Sequence, residues 1–180
     1  MSGTDESVRV ENGGLANVLV RIKGAVPGAP PSRALAARPI VVGQKDCTFT
    51  PRVQGALSGQ KVLLQNEDGT LHNVRLADDQ RFLFNVAQRP KGPPVERPLP
   101  EAEGVLSLKC DIHPWMRAWV VMSPHGYFAT TDASGHFELE DLPAGTYTLE
   151  AWHESLGTQT AQVTVAEAGS TEARLAFAAH

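Results

Sequence analysis

Cys110-Asp111-Ile112-His113-Pro114-Trp115-Met116 puts a thiol, an imidazole and a thioether within seven residues, in the spacing Cys-x2-His-x2-Met. A thiolate, an imidazole and a thioether together suit copper far better than magnesium or calcium. Zinc seldom takes a methionine. Pro114 opposes a helix through its missing N–H and its ring, so the segment must be a loop that can wrap an ion. Val105-Leu106-Ser107-Leu108-Lys109 alternates before it, and Ala118-Trp119-Val120-Val121-Met122 follows it. Both read as strands, so the loop has its two ends fixed by β structure.

Three donors are not a full site. Upstream, the turn Glu67-Asp68-Gly69-Thr70 leads into His72-Asn73-Val74-Arg75-Leu76, which reads as a strand with His72 at its start. Two histidines, a cysteine and a weak axial methionine make the ligand set of a mononuclear electron-transfer copper site. Asn73 stands next to His72 and can tie its loop to the ligand loop through amide hydrogen bonds. Further strands are expected at 18–23, after the turn signal Asn12-Gly13-Gly14, and at 39–42, around Cys47 and Phe49, and at 59–66 and 82–85. Residues 24–39 and the proline-rich stretch 89–103 read as irregular. The last third is punctuated by Asp132-Ala133-Ser134-Gly135 and Asp141-Leu142-Pro143-Ala144-Gly145, with strands expected at 127–131, 136–139, 146–152, 159–165 and 172–177. Short strands at this regular spacing predict an all-β chain of sandwich or barrel type.

Phe49-Thr50-Pro51, Gly59-Gln60-Lys61-Val62, Gln65-Asn66-Glu67-Asp68 and His72-Asn73-Val74 together resemble the core of plastocyanin-like cupredoxins over residues 39–122. The Cys-Asp-x-His-Pro-x-Met loop resembles the bacterial members of the methylamine utilisation type. The resemblance implies a Greek-key β-sandwich that holds copper as Cu(I)/Cu(II) through His72, Cys110, His113 and Met116. It also implies that His113 is the exposed ligand through which electrons leave. The chain departs from plastocyanins in the shorter gap between His113 and Met116, only Pro114 and Trp115. A tighter loop alters the axial bond or shifts the site from blue toward a more tetragonal form.

A second resemblance, to carboxypeptidase regulatory-like domains, rests on 128–152 and on the opening Asn12-Gly13-Gly14-Leu15-Ala16-Asn17-Val18-Leu19-Val20. It implies a small immunoglobulin- or transthyretin-like sandwich made of 8–38 and 123–180, split by insertion of the copper domain 39–122. Insertion is tolerated where the two ends of a loop lie close together.

The rest of the composition narrows the field. The chain has 180 residues, 16 glycines, 13 prolines and a formal net charge of −4. No basic run points to nucleic acid, and no apolar run is long enough to span a bilayer. Paired carboxylates, a Ser-His-Asp order and a phosphate loop are all missing, so no enzyme chemistry is expected. The expected function is single-electron transfer with a redox partner protein. The alternatives are a periplasmic copper-binding or delivery protein and a metal-free β-sandwich interaction module. Met1 to Ser7 lacks a signal-peptide pattern. Copper redox proteins of this type mostly work outside the bacterial cytoplasm, so a periplasmic or exported mature form is expected.

Cys47 shares strand parity with Phe49. It reads as a buried free thiol, a further group near the metal, or a disulfide partner of Cys110. His136 and His180 read as surface residues and His125 as a turn residue. His153 either caps a strand end or lines a cleft. Trp115 and Trp119 read as core packing or as a shield that restricts water at the site.

Overall fold

Alternation of apolar and polar residues along a short segment leaves a strand one face to bury, and strands and extended segments bury those faces among the described residues. The computed structural model describes residues 8–30 and 36–178. The start of the chain, part of the 24–39 stretch and His180 lie outside the described residues. In chain order the strands are β1 (Val10–Glu11), β2 (Gly14–Leu15), β3 (Leu19–Ile22), β4 (Ile40–Lys45), β5 (Thr48–Thr50), β6 (Val53–Leu57), β7 (Lys61–Asn66), β8 (His72–Ala77), β9 (Phe82–Gln88), β10 (Val95–Pro98), β11 (Gly104–Lys109), β12 (Arg117–Ser123), β13 (Phe128–Thr130), β14 (Gly145–His153) and β15 (Gly157–Val165). No helix occurs among the described residues. The protein is all-β.

The described residues gather into two compact units, 36–124 and 8–30 with 125–178. The first is a sandwich of a four-stranded sheet, β10-β7-β4-β5, and a five-stranded sheet, β6-β12-β11-β8-β9. The chain crosses repeatedly between the two layers, which is the Greek-key habit. β4 pairs with β7, and β6 with β12, in parallel; the other ladders are antiparallel. The core between the layers holds Val42, Phe49, Val62, Leu64, Val74, Leu76, Leu106, Leu108, Val120 and Met122. Each such side chain contributes about 1.5–3 kcal/mol by leaving water.

Two strands of this unit are absent from the sequence-based reading. β10 lies inside the proline-rich stretch. It forms because it is an edge strand, where Pro98 can face Lys61 of β7 without a neighbour on its other side. β6 lies between Pro51 and Gly59 and carries Gly55 at its centre, so it shows neither a clean run nor a clean alternation.

The second unit has the four-stranded sheet β13-β3-β14-β15. Val18, Val20, Ile22, Tyr147, Leu149 and Ala151 form its buried face. Arg21 stands directly opposite Glu150 and donates to its carboxylate at 2.8 Å, which pins the β3–β14 register. Residues 136–139 and 172–177, expected as strands, carry no assigned ladder. Phe137, Leu139, Leu175 and Phe177 nevertheless pack on the core. Alternation decides which side chains point inward, whereas a ladder also needs a neighbouring backbone in register.

Candidate metal centre

Strand parity delivers the first candidate ligands. His72, Val74 and Leu76 share the buried face of β8, and Leu106, Leu108 and Cys110 share that of β11 and its continuation. β8 and β11 are neighbours, with Lys109 opposite Arg75. His72 and Cys110 therefore emerge at one end of the sandwich, Cys110 within the apolar core cluster. The β11–β12 loop closes on itself there. The Met116 N–H donates to the His113 carbonyl at 2.9 Å, and the Cys110 N–H to the Met116 carbonyl at 3.3 Å. The Lys109–Arg117 pair then resumes the ladder.

This fold brings His72, Cys110 and His113 together: their donor atoms lie within 4.8 Å of one another. His72 Nδ1 and His113 Nδ1 face each other at 3.0 Å, and Cys110 Sγ is 3.7 Å from His113 Nδ1. Met116 is buried in the same core cluster as Cys110, at the foot of the loop. His72 and Cys110 are buried and His113 is half-buried.

Neighbouring polar groups hold these side chains. The Asn73 amide oxygen accepts the Asp111 N–H at 2.8 Å and lies 3.3 Å from Cys110 Sγ, while its nitrogen donates to Asp111 Oδ2 and Asn85 Oδ1, each at 2.9 Å. Asp68, unread as a site residue in the sequence, accepts from His72 Nε2 at 2.7 Å. The backbone N–H groups of Asp46 and Cys47 also donate to its two oxygens, at 2.7 and 2.9 Å. Burial pushes the Asp68 carboxyl up, but the Cys47 N–H, His72 and the Asp46 N–H outweigh it and hold it below the ordinary carboxylate range. An ionised Asp68 only accepts hydrogen bonds, so His72 Nε2 is the donor in that contact and Nδ1 is the ring nitrogen that faces His113. Burial, then the adjacent His72, push His113 below the ordinary imidazole value against the opposing pull of Asp68, which favours the neutral ring, the form that offers a lone pair.

Both cysteines are free thiols, Cys110 buried and Cys47 partly exposed, so the disulfide alternative does not hold in this structure. Cys47 sits in the β4–β5 turn, and Trp115 Nε1 donates to its carbonyl at 3.0 Å. The Trp115 ring meets His113 edge-on with centroids 5.3 Å apart. Trp119 is half-buried in β12. The remaining described histidines lie outside this cluster. His125 Nε2 contacts the Gly24 carbonyl at 2.8 Å. His153 Nδ1 accepts the N–H groups of Ser155 and Leu156, capping the end of β14. His136 is exposed in a turn.

Residues 114–178 match the family model of the carboxypeptidase regulatory-like domain. The match begins inside the ligand loop and runs through β12, which lies in the sheet of the first unit. None of the curated proteins matches the chain. Among solved structures, the chain is similar to a purple cupredoxin from Nitrosopumilus maritimus, at 24% identity and a TM-score of 0.41, over 47% of this chain and 99% of that one. It is similar to amicyanin from Paracoccus versutus at 16% identity and a TM-score of 0.43, over 58% and 97% of the two chains. It is also similar to a copper-containing nitrite reductase from Thermus scotoductus, at 20% identity and a TM-score of 0.41, over 48% of this chain and 22% of that one.

Proposed function

We propose that this chain is a mononuclear copper protein that carries single electrons, with His72, Cys110, His113 and Met116 as ligands. The observation that carries this reading is the convergence of His72 Nδ1, Cys110 Sγ and His113 Nδ1, with Met116 buried in the same core cluster as Cys110. The donor set is soft to borderline and fits copper. Copper would supply a one-electron Cu(I)/Cu(II) couple. The protein supplies rigidity: Asp68 orients His72, and Asn73 ties the β8 start to the ligand loop. Trp115 covers one side of His113 and restricts water. Ligands held this tightly on two neighbouring strands and one short loop leave little room for rearrangement when charge changes.

Ile112 and Trp115 flank His113, Leu71 precedes His72, and all three are exposed, at 51%, 38% and 43%. This apolar rim is where we place a redox partner protein. The same reading makes 39–122 the copper domain and 8–38 with 123–180 a carboxypeptidase regulatory-like sandwich that it interrupts. The position of β3 between β13 and β14 supports that division. A periplasmic or exported location accompanies it; among the described residues no helix is long and apolar enough to cross a membrane. A delivery role is the second reading, favoured by the partly exposed Cys47 thiol beside the ligands; slow Cu(I) release without fast self-exchange would support it.

The test is addition of Cu(II) to the reduced protein, read by visible absorption and EPR. A strong thiolate-to-copper band that vanishes in Cys110→Ala is expected. Stoichiometric copper uptake with no such band would overturn electron transfer through a thiolate site.

A further inference from the structure

A second set of donors adjoins the first. Cys47 Sγ, an Asp68 carboxylate oxygen and a His72 ring nitrogen lie within 4.8 Å of one another. They come from three segments: the β4–β5 turn, the β7–β8 loop and the first residue of β8. His72 belongs to both sets through different atoms, since Nδ1 faces His113 and Nε2 faces Asp68. The chemistry of the two sets differs. The outer one has a thiol, a carboxylate and an imidazole but no thioether, which are the donors of borderline divalent ions such as zinc. Three protein donors leave one position for water. Cys47 and Asp68 are partly exposed, whereas Cys110, His72 and Met116 are buried.

The turn that presents Cys47 is also unusual. Lys45 pairs with Thr48, so Asp46-Cys47 is a two-residue hairpin turn, with φ of 54° at both residues. The same chain makes another such turn with Asn12-Gly13, at φ of 50° and 84°. Glycine takes the second position there without steric cost, whereas a cysteine is strained in a left-handed backbone by its Cβ. Asp68 and Trp115 hold the turn against that strain through the Asp46 and Cys47 N–H groups and the Cys47 carbonyl.

We propose that Cys47, Asp68 and His72 form a second metal position, for a borderline divalent cation such as Zn2+. On binding, the Cys47 thiol proton passes to solvent. With the inner set occupied, the His72 ring proton does so as well, and no electron moves. Co2+, which reports thiolate ligation by near-ultraviolet charge transfer, is the probe. The C110S chain retains only the Cys47 thiol; it is expected to take up one Co2+ with a thiolate-to-cobalt band that Zn2+ displaces. The C47S/C110S chain should lack the band, and D68N added to C110S should weaken Co2+ binding at least tenfold. In the full chain loaded with one Cu(I), native mass spectrometry should find one further Co2+, lost in C47S. Absence of the band in C110S with unchanged near-ultraviolet circular dichroism, or an equal band in C47S/C110S, would overturn the proposal. If C110S does not fold, Cu(I)-loaded chains that take up no Co2+, or the same amount with and without Cys47, overturn it equally. The proposal shares only His72 with the copper reading. A cobalt band in C110S together with no copper band in the unmodified chain would count against copper alone.

Discussion

Asn73 joins the two halves of the candidate centre with one amide, since both of its polar atoms bond to residues across the gap between β8 and the ligand loop. Asn73→Ala removes these bonds while leaving the Asp111 N–H without its acceptor. A loss of about 1–3 kcal/mol is expected, read as a lower midpoint in urea unfolding. Cys47 is expected to behave in the opposite sense. Glycine at 47 relieves a left-handed backbone worth about 1–2 kcal/mol and adds about 0.5–1 kcal/mol of chain entropy to be lost on folding. The net expectation for Cys47→Gly is a gain of up to about 1.5 kcal/mol, measured by the same unfolding experiment, together with loss of cobalt uptake at the second position. Of the residues around the centre, His72, Cys110, His113 and Met116 are legible as candidates because their chemistry stands next to strand and turn signals. Asp68 is not, because an aspartate in Glu67-Asp68-Gly69-Thr70 already has a sufficient local reason as a turn former.

At the scale of elements, the alternating segments reveal themselves and the interrupted ones do not. β7 and β11 alternate cleanly, whereas β6 and β10 stand as strands only through their partners β12 and β7. The turn after β13 gives a pH prediction. The Asp132 carboxylate accepts from Ser134 Oγ and from the N–H groups of Ser134 and His136 at 2.7–3.0 Å. The Ser134 hydroxyl first, then the His136 N–H, hold its carboxyl below the ordinary range. A depressed folded value means that this contribution is complete above the ordinary aspartate pKa and fades as pH falls through the lowered one. Asp132→Ala should therefore lower the stability of the second unit at neutral pH, with the difference from the unmodified chain closing in acid. Equal differences at neutral and acid pH would contradict the assignment.

For the whole molecule, the consequence lies in connectivity. β3 pairs with both β13 and β14. Removing 8–30 takes away a strand from the middle of that sheet and leaves β13 without its partner. Calorimetry of the truncated chain should lose the unfolding transition of the second unit, while the thiolate-to-copper band of the first remains. Residues early and late in sequence thus form one sheet, and residues between them form another sandwich.

The sequence by itself determined what local pattern can encode: an all-β chain, the strand parity that points His72 and Cys110 inward, and a loop too short and too proline-bound to be a helix. Only the tertiary structure decided what stands beside those residues. β4 and β7 run in parallel with Gln44 opposite Asn66. Their ends therefore lie side by side, which sets the Cys47 turn against Asp68 and both against His72. That juxtaposition depends on a ladder between distant segments, and such pairing is set by the packing of the whole core, not by the residues flanking each donor.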